Sequence, residues 1–346
     1  MNNNASARSI FENSPYIVAE LNTSHFGKVE TAQEMVLKCK EIGADCVKFQ
    51  SWTEESLYAD AYFKENPIAK RFFKKYSMGS GELREISSYC RSIGIGFSST
   101  PYSIDEVDFL IEQCDVEFIK IASMDLNNIP FLEYIASKHA TTILSTGMGS
   151  MQEIERAVAV FEKAGHNDLC LLHCVSVYPC PPEICNLNNV AMLAKRFPNA
   201  TVGYSDHTKG PEAAVAAIAL GARVIEKHFT LNSSQIGMDN QMATEPDEFS
   251  QMISYCRRIA DALGSSERQL TEVELKQRLQ MRRSAVAVRD LKVGESLKRE
   301  DVVFKRPGTG IPPDRIETYI GMALSKGIEK GKVIKEADIQ HQGLSM

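Results

Sequence analysis

The chain has 346 residues, of which 43% are hydrophobic and 24% charged, as is typical of a globular enzyme with one large domain or two domains. Its net charge of -6 argues against a nucleic-acid-binding protein, because such proteins usually carry a basic face. No apolar run approaches the roughly 20 residues that a membrane-spanning helix needs. We also expect no signal peptide, since residues 1–8 lack an apolar core.

The nine cysteines are an odd number and include no CxxC pair. Several of them lie in apolar segments, which predicts reduced, buried thiols and a cytoplasmic protein. Cys180 and Cys185 flank Pro181-Pro182. We expect free thiols in a loop at this point, and a redox pair is the alternative.

Apolar segments with strand character alternate eight times with helical patterns along residues 16–263. The predicted strands are Tyr16–Glu20, Cys46–Phe49, Gly94–Ser98, Phe118–Ala122, Thr141–Ser145, Leu169–His173, Thr201–Tyr204 and Arg223–Lys227. The predicted helices are Glu30–Ile42, Gly81–Ile93, Ile104–Glu112, Ile129–Ser137, Met151–Ala164, Asn186–Phe197, Pro211–Leu220 and Glu248–Leu263. Eight consecutive βα units of this length predict an α/β fold, the (β/α)8 TIM barrel.

Two further segments complete the predicted organisation. Residues 52–77 form a long, charged and aromatic insertion with its own helix, about Pro67–Tyr76, which indicates a lid or a subunit contact. After Gly264 the βα pattern gives way to a charged helical stretch and then to short strands and turns. We predict a barrel domain over 1–264, a linker helix over 265–283 and a small β-rich domain over 284–346. Short strands are predicted in the last domain at Ser284–Val288, Asp290–Gly294, Asp301–Phe304 and Lys326–Ile328.

Two histidines follow the ends of the seventh and eighth predicted strands. The intervening helix makes this a βαβ unit, so the strands should be parallel neighbours with His207 close to His228. Two neutral imidazoles at this end of a barrel are suited to bind a divalent metal, with positions left free for water or substrate. The alternative is that each histidine is a satisfied polar residue.

Two lysines and several hydroxyls are predicted around the same mouth. Lys48 and Lys120 should point into the lumen, where a buried ammonium is costly unless it meets an anion. The hydroxyls lie at the ends of strands three, five and seven, at Ser98, Ser99, Thr100, Ser145, Thr146 and Ser205. Together they indicate a small ligand with a phosphate and a carboxylate. Each hydroxyl has an alternative role in capping the next helix, and the lysines could extend to solvent.

Two carboxylates complete the predicted mouth. Glu20 ends the first strand, and Glu226 lies two residues before His228 on the same face. Each is a candidate general base, or a residue that orients a metal-bound imidazole. The alternative is a plain ion pair with Lys48 or Lys120.

From about Ile17 to Gln340 the chain resembles the sialic acid synthase family, which includes legionaminic and pseudaminic acid synthases. The resemblance rests on runs of residues that are highly specific in combination: Ala19-Glu20 with His25-Phe-Gly27, Gly43-Ala-Asp-Cys-Val-Lys-Phe-Gln50, Ser99-Thr-Pro101, Lys120-Ile-Ala-Ser123, Leu144-Ser-Thr-Gly-Met148, His173-Cys174 with Ser176 and Tyr178-Pro179, Gly203-Tyr-Ser-Asp-His207 and Glu226-Lys-His-Phe-Thr230. The run Lys305-Arg-Pro-Gly-Thr-Gly-Ile311 resembles the antifreeze-like SAF (β-clip) domain of the same family.

The resemblance implies a reaction between phosphoenolpyruvate and the open-chain aldehyde of an N-acylated amino sugar, which yields a nine-carbon 2-keto acid and phosphate. It implies that the catalytic residues are Glu20, Lys48, Lys120 and Glu226, and that a metal, Mn²⁺ before Mg²⁺ or Co²⁺, is held by His207 and His228. It assigns phosphoenolpyruvate to Lys48, Thr100, Lys120, Ser123, Ser145, Ser176 and Ser205. It assigns the sugar to Glu20, Gln50, Tyr178, Asp239 and Arg306, the last reaching the partner subunit's barrel in a homodimer.

Three departures from the family pattern concern the acceptor side as the resemblance places it. Ser24 replaces a usual Asn, Met124-Asp125 replaces Gly-Glu, and Asp239-Asn240 replaces Asp-His. The acceptor therefore stays open between N-acetylmannosamine and a 2,4-diacetamido-2,4,6-trideoxyhexose. Two other functions also remain open: an aldolase that joins phosphoenolpyruvate to a phosphorylated aldose, and a non-catalytic sugar-binding protein.

Overall fold

The computed structural model describes residues 10–12 and 15–340. The chain divides into two compact units, residues 1–264 and 265–346. The first unit is a closed barrel of eight parallel strands in sequence order, with β1 paired to β8. The strands are β1 Tyr16–Glu20, β2 Cys46–Gln50, β3 Gly96–Thr100, β4 Ile119–Ile121, β5 Thr142–Ser145, β6 Leu169–Cys174, β7 Thr201–Asp206 and β8 Val224–His228. The predicted TIM-barrel architecture is confirmed.

The helices of this unit surround the strands, and most lie within a turn of their predicted bounds. They are α1 Val29–Ile42, α2 Glu54–Leu57, α3 Asp60–Glu65, α4 Pro67–Tyr76, α5 Ser80–Ile93, α6 Ile104–Gln113, α7 Ile129–Lys138, α8 Met151–Lys163, α9 Asn188–Arg196, α10 Glu212–Ala219 and α11 Pro246–Leu263. Among the described residues, none of the helices combines the length and the apolar character that crossing a bilayer requires.

The lumen of the barrel changes from apolar to polar along the strands. Tyr16, Val18 and Phe118 belong to a buried apolar cluster at the N-terminal ends of the strands, which Phe11 joins. Because side chains alternate along a strand, Glu20 follows Tyr16 and Val18 on the lumen face of β1. The outward-facing residues pack in a second, larger core beneath the helices. The barrel is therefore filled with apolar side chains at the N-terminal ends of its strands and lined with polar side chains at their carboxyl ends.

Some predicted strand and helix bounds are wrong. The third strand begins at Gly96, not Gly94, because Gly94 ends α5 in the left-handed conformation, with a φ of 71°. Strands β2, β7 and β8 run one to two residues further than predicted, to Gln50, Asp206 and His228. The apolar pattern stops before these polar residues, although their backbones still pair with the neighbouring strand.

The insertion after β2 is built from three short helices, α2 to α4, of which only α4 was predicted. Its buried aromatic side chains form a separate cluster of Trp52, Phe63, Phe73 and Tyr76. The rings of Trp52 and Phe73 meet edge to face at 5.2 Å. This packing gives the insertion a core of its own beside the mouth of the barrel.

Up to residue 340, the second unit contains one α-helix, a two-stranded antiparallel sheet and three short 3₁₀ helices, Arg299–Asp301, Pro313–Thr318 and Glu336–Asp338. The helix α12 spans Glu272–Met281, shorter than the predicted linker helix, because Thr271 caps it by accepting a hydrogen bond from the Glu274 N–H. The strands are β9 Ser284–Ala287 and β10 Val302–Lys305. The other two predicted strands are wrong: Leu291 and Ile328 form only an isolated bridge, and the glycines beside them, Gly294 and Gly331, both have a positive φ.

Candidate active site

A cavity of about 370 Å³ opens at the carboxyl ends of the barrel strands. It brings together every residue of the first unit to which the family resemblance assigns a role. These are Glu20, Lys48, Gln50, Thr100, Lys120, Ser123, Ser145, Ser176, Tyr178, Ser205, His207, Glu226, His228 and Asp239. The predicted hydroxyls of Ser98, Ser99 and Thr146 do not line the cavity, because they bond to the Phe118 carbonyl, to Ser51 and to the Leu172 carbonyl. The remaining predicted residue, Arg306, lies in the second unit, where its exposed side chain donates from Nε to the Met281 carbonyl at 3.0 Å.

Lys48 is held from both sides of β2. Its ammonium contacts the Glu20 carboxylate on β1 and donates to Thr100 Oγ1 on β3 at 3.2 Å. Burial opposes a charge on Lys48, but Glu20 and Glu226 outweigh it and raise the lysine's pKa. The pKa of Glu20 is also raised, because burial exceeds the opposing effect of Lys48. Lys48 is thus a fixed cation, and Glu20 is a carboxyl group able to hold a proton.

Lys120 forms the second charged pair of the lumen. Its Nζ lies 3.3 Å from Glu226 Oε1, which also accepts from Ser205 Oγ at 3.0 Å. Burial raises the pKa of Glu226, but Lys120 and Lys48 outweigh it and hold that pKa below the usual range. Burial also lowers the pKa of Lys120. Glu226 is therefore the ionised carboxylate of the site, and its Oε2 has no hydrogen-bond partner in the described chain.

A group of hydroxyls lies on the β4–β6 side of the cavity. Ser123 Oγ accepts from the Gly147 N–H at 3.1 Å, and a Cβ on Gly147 would come within 2.7 Å of this oxygen and 2.3 Å of Ser176 Oγ. The glycine therefore allows both hydroxyls to approach the backbone closely. Ser145 Oγ is buried and has no partner among the described residues, so it is available to a ligand.

Capping of the next helix was the alternative role for these hydroxyls, and for α6 and α8 other residues fill it. The side chains that cap α6 and α8 are Ser103 and Ser150, which accept from the N–H groups of Glu106 and Glu153. Thr100 and Ser205 instead contact Lys48 and Glu226. The lysines do not extend to solvent either, since both are less than 5% exposed.

His207 and His228 lie side by side, with ring centroids 5.6 Å apart. His207 Nδ1 lies 2.8 Å from the Val175 carbonyl. If Nδ1 donates to this carbonyl, Nε2 is left as the free nitrogen. Burial lowers the pKa of His228 well below its usual value, so this ring is neutral. The Tyr178 ring packs on His207 with centroids 4.0 Å apart.

The opposite side of the cavity combines polar groups with an apolar rim. Asn22 joins Glu20 to Asp239, since its N–H donates to Glu20 Oε1 at 2.9 Å and its amide contacts the Asp239 carboxylate. Gln50 Oε1 accepts from Trp52 and Tyr102, each at 3.0 Å. Asn22 and Tyr102 also line the cavity and were not predicted as site residues. Their positions two residues after a strand end were the available signal.

The apolar rim was also not predicted, because its residues come from loops and from the insertion. It consists of Leu57, Tyr58, Phe73, Met124, Met148 and Met238. Of the three departures from the family pattern, only Met124 contributes a replaced side chain to this cavity. Asn240 is buried and instead bonds Thr230 and the carbonyls of Asn232 and Gln235, and Ser24 lies outside the cavity lining. Ser24 and Asn240 therefore do not line this cavity, and their assignment to the acceptor side stays a prediction.

Two protein-family models match the chain and together cover most of it. The model of the NeuB family matches residues 35–268, and the model of the SAF domain matches residues 282–340. The chain belongs to the NeuB family. Its SAF domain corresponds to the second unit described above.

Individual NeuB relatives cover nearly the whole chain. It is 36% identical to the N,N'-diacetyllegionaminic acid synthase of Legionella pneumophila, over 92% of this chain and 93% of the relative. It is 35% identical to a pseudaminic acid synthase of Campylobacter jejuni, over 94% and 96%. Among solved structures, the N-acetylneuraminic acid synthetase of Leptospira borgpetersenii, solved with citrate, aligns with a TM-score of 0.71 at 33% identity, over 77% of this chain and 90% of that one.

Proposed function

We propose that this protein is a nonulosonic acid synthase. It condenses phosphoenolpyruvate with N-acetylmannosamine or a related N-acylated amino sugar, and it releases phosphate and a nine-carbon 2-keto acid. Membership of the NeuB family supports the reaction class. The observation that carries the proposal is the cavity in which Lys48 and Lys120 lie among five hydroxyls, of which that of Ser145 has no partner among the described residues. Nine free cysteines are in keeping with a cytoplasmic enzyme.

The donor side of the cavity suits phosphoenolpyruvate. Lys48 and Lys120 supply two buried ammonium groups, and charge-assisted hydrogen bonds to phosphate and carboxylate oxygens are among the strongest that proteins form. Thr100, Ser123, Ser145, Ser176 and Ser205 supply the hydroxyls around them. We assign all seven side chains to binding the donor.

The two carboxyl groups have different protonation, which suits an acid and a base. Glu20, with its raised pKa, would donate a proton to the aldehyde oxygen as carbon 3 of phosphoenolpyruvate bonds to the aldehyde carbon. Glu226 stays ionised, and its Oε2 has no hydrogen-bond partner among the described residues, with Lys48 Nζ 4.0 Å away. It would accept a proton from the water that adds to carbon 2 before phosphate leaves. Water thus supplies the oxygen of the new 2-keto group.

His207 and His228 fit a divalent metal. His228 is neutral, so one of its ring nitrogens is free, and a His207 that donates from Nδ1 to the Val175 carbonyl would bind the metal through Nε2. Burial lowers the pKa of His207, but Cys174 outweighs it and raises that pKa, so the cation would compete with a proton there. No group of three or more His, Cys, Asp or Glu suited to a metal occurs within residues 10–12 and 15–340, so the other ligands would be water or substrate. We propose Mn²⁺, with Mg²⁺ and Co²⁺ as alternatives. When bound, the cation would polarise the aldehyde oxygen of the acceptor.

The residues that this chain itself supplies to the acceptor side favour a sugar without a phosphate. Within the described chain, Lys48 and Lys120 are the only lysine or arginine side chains that line the cavity, and both are paired with carboxylates. A phosphorylated aldose would need a further cation from outside this lining. Glu20, Gln50, Tyr178 and Asp239 remain to bind hydroxyl and acylamino groups.

The apolar rim supports a second candidate acceptor, a 2,4-diacetamido-2,4,6-trideoxyhexose. This sugar carries two acetyl methyls and a methyl at carbon 6, which Leu57, Phe73 and Met148 are suited to contact. N-acetylmannosamine presents a hydroxymethyl group and a hydroxyl in the corresponding positions. Apolar contacts at the rim would therefore favour the diacetamido sugar, and hydrogen bonds there would favour N-acetylmannosamine.

We further propose that the protein works as a homodimer, with Arg306 completing the acceptor site of the partner subunit. The segment around α12 supports an interface, because Leu270, Val273, Leu275 and Leu279 are 43–76% exposed. Arg306 itself is exposed on the loop after β10. Light scattering would test the oligomeric state, and mixed dimers of R306A and an active-site variant would test shared sites.

The test of the main proposal is phosphate release and product mass, measured with phosphoenolpyruvate, Mn²⁺ and a panel of acceptors. The panel contains N-acetylmannosamine, its 6-phosphate and the 2,4-diacetamido-trideoxyhexoses. We expect turnover with at least one unphosphorylated acceptor and loss of it in K48M. A folded, metal-loaded protein that turns over none of them would contradict the proposal. Calorimetric binding of a sugar without any turnover would instead favour the sugar-binding function.

A further inference from the structure

A second buried ion pair lies in the barrel wall behind the two imidazoles. Lys227 Nζ is 2.6 Å from Asp206 Oδ2, and both side chains are at most 2% exposed. The register of β7 and β8 pairs Asp206 with Lys227 and Ser205 with Glu226. Because side chains alternate along a strand, Asp206 and Lys227 take the outer face, while Ser205 and Glu226 take the lumen. The ion pair therefore belongs to the wall and not to the cavity.

This pair holds the chain on both sides of His207. Lys227 also donates to the Thr208 carbonyl at 2.7 Å. Asp206 Oδ1 accepts from the N–H and the hydroxyl of Thr208, at 2.9 and 2.8 Å. His207 lies between the two residues that are bound in this way, and His228 directly follows Lys227. One network thus sets the backbone that carries both imidazoles.

The position of the pair is unusual for its surroundings. The neighbouring outward residues of the two strands, Tyr204 and Ile225, are part of the apolar core beneath the helices. Apolar side chains of similar size often replace a buried ion pair without loss of stability. Stability alone therefore gives no reason for two charges here. Buried polar groups can hold the surrounding backbone in one geometry, because their hydrogen bonds are directional.

We propose that Asp206 and Lys227 are positioning residues that set the distance and orientation of the His207 and His228 imidazoles for a divalent cation. The inference rests on the metal role proposed above for these two rings. His207 is constrained at three points: by Asp206 and Thr208 along its backbone, and by the Val175 carbonyl at its ring. Partners that orient metal-binding imidazoles typically change metal affinity by about 10–100-fold when they are replaced.

The first experiment compares the double variant D206N/K227M with the wild type. The double variant carries no uncompensated charge, so we expect it to fold, with a Tm above that of either single variant. We expect calorimetry with Mn²⁺ to show binding weakened by about 10–100-fold. Phosphoenolpyruvate affinity, measured without metal, should fall much less than Mn²⁺ affinity, because six of the seven donor residues lie on other strands or loops and only Ser205 is next to the pair. Unchanged Mn²⁺ affinity in the folded variant would overturn the proposal.

Two further variants keep the test decisive if the double variant does not fold. T208V removes the hydroxyl that donates to Asp206 and leaves the ion pair in place. It should weaken Mn²⁺ binding by about two- to tenfold and lower the Tm less than either single charge variant does, because Asp206 keeps its bonds to Lys227 and to the Thr208 N–H. Unchanged Mn²⁺ binding would count against the network. The control is D108N/K138M, which removes a partly exposed pair of 2.5 Å between α6 and α7 and should leave Mn²⁺ binding unchanged.

A crystal structure of the metal-free double variant tests the positioning role without the metal. We expect the His207 imidazole to move by roughly 1 Å or more relative to His228, a shift large enough to spoil a site. An unmoved ring would overturn the proposal. Failure of the wild-type protein to bind Mn²⁺ would refute the proposed metal instead, and the crystal structure would then decide the positioning role alone.

Discussion

Lys120 and Glu226 face each other across the lumen, with Nζ and Oε1 3.3 Å apart and both side chains less than 10% exposed. Lys48 approaches the same carboxylate to 4.0 Å. Glu226 thus contacts both of the ammonium groups that we propose bind phosphoenolpyruvate. An arriving phosphate or carboxylate joins this network, and the lysines then exchange part of their pairing with Glu226 for pairing with the ligand.

Replacing Lys120 with methionine should weaken phosphoenolpyruvate binding by about 10–100-fold, as expected for one lost charge-assisted contact. The change also removes one of the two cations beside the buried Glu226 carboxylate, so the Tm should fall. Isothermal calorimetry with phosphoenolpyruvate and a thermal melt measure the two effects. K138M, at a half-buried lysine on α7, is the control and should change neither. Full affinity in K120M would remove this lysine from donor binding.

Replacing His228 with alanine should abolish metal-dependent turnover while the protein stays folded. The ring lies at the open end of the barrel and outside the apolar clusters, so its loss creates little core cavity. Phosphate release with and without EDTA, together with Mn²⁺ calorimetry, gives the answer. H139N changes an exposed histidine that ends α7 in the left-handed conformation and serves as the control. Unchanged activity in H228A would exclude this histidine from the mechanism.

Phosphoenolpyruvate binding should weaken as the pH rises through the raised pKa of Glu20. Below that pKa the protonated carboxyl leaves Lys48 free for the anion, and above it the carboxylate competes for the same ammonium. Calorimetry between about pH 5 and 9 measures the trend. E20Q keeps the shape without the titration, so its pH dependence should be flatter. Identical profiles for E20Q and the wild type would show that another group, including the ligand phosphate, is responsible.

Replacing Gly147 with alanine should lower donor affinity more than stability. The added Cβ would meet the hydroxyls of Ser176 and Ser123 at 2.3 and 2.7 Å, so both must move. We expect a Michaelis constant for phosphoenolpyruvate raised by about tenfold, a loss in the range of one to two hydrogen bonds. Initial-rate kinetics and a thermal melt separate the two effects. G165A, a position with open space around its Cβ but a positive φ, controls for backbone effects on stability.

Replacing Met124 with serine should shift the choice of acceptor. Met124 is a rim residue and is 55% exposed before a sugar binds. If its side chain contacts the methyl groups of a 2,4-diacetamido-trideoxyhexose, kcat/KM for that sugar should fall by about tenfold relative to N-acetylmannosamine. Competition assays with both acceptors measure the ratio. M192S, on α9, is the control. An unchanged ratio would place the discrimination elsewhere on the rim.

Several parts of this site could be predicted because they depend on local periodicity. Alternation along a strand placed Lys48 and Gln50 on one face, and a βαβ unit placed His207 beside His228. The same reasoning missed Asn22, Tyr102 and the apolar rim, which lie in loops where no period applies. The assignment of Ser24 and Asn240 to the acceptor side came from the family resemblance, and in the structure Asn240 accepts a hydrogen bond from Thr230 in the loop after β8.

The amino-acid sequence by itself determined the eight βα units, the inward lysines and the two adjacent histidines, because burial and alternation act on neighbouring residues. Only the tertiary structure decided how the charges are shared. Glu20 and Glu226 both end buried strands, yet burial raises the pKa of one and two lysines lower that of the other. That difference arises from distances across the lumen, which join residues as far apart in the chain as Lys48 and Glu226 and leave no trace in a local pattern.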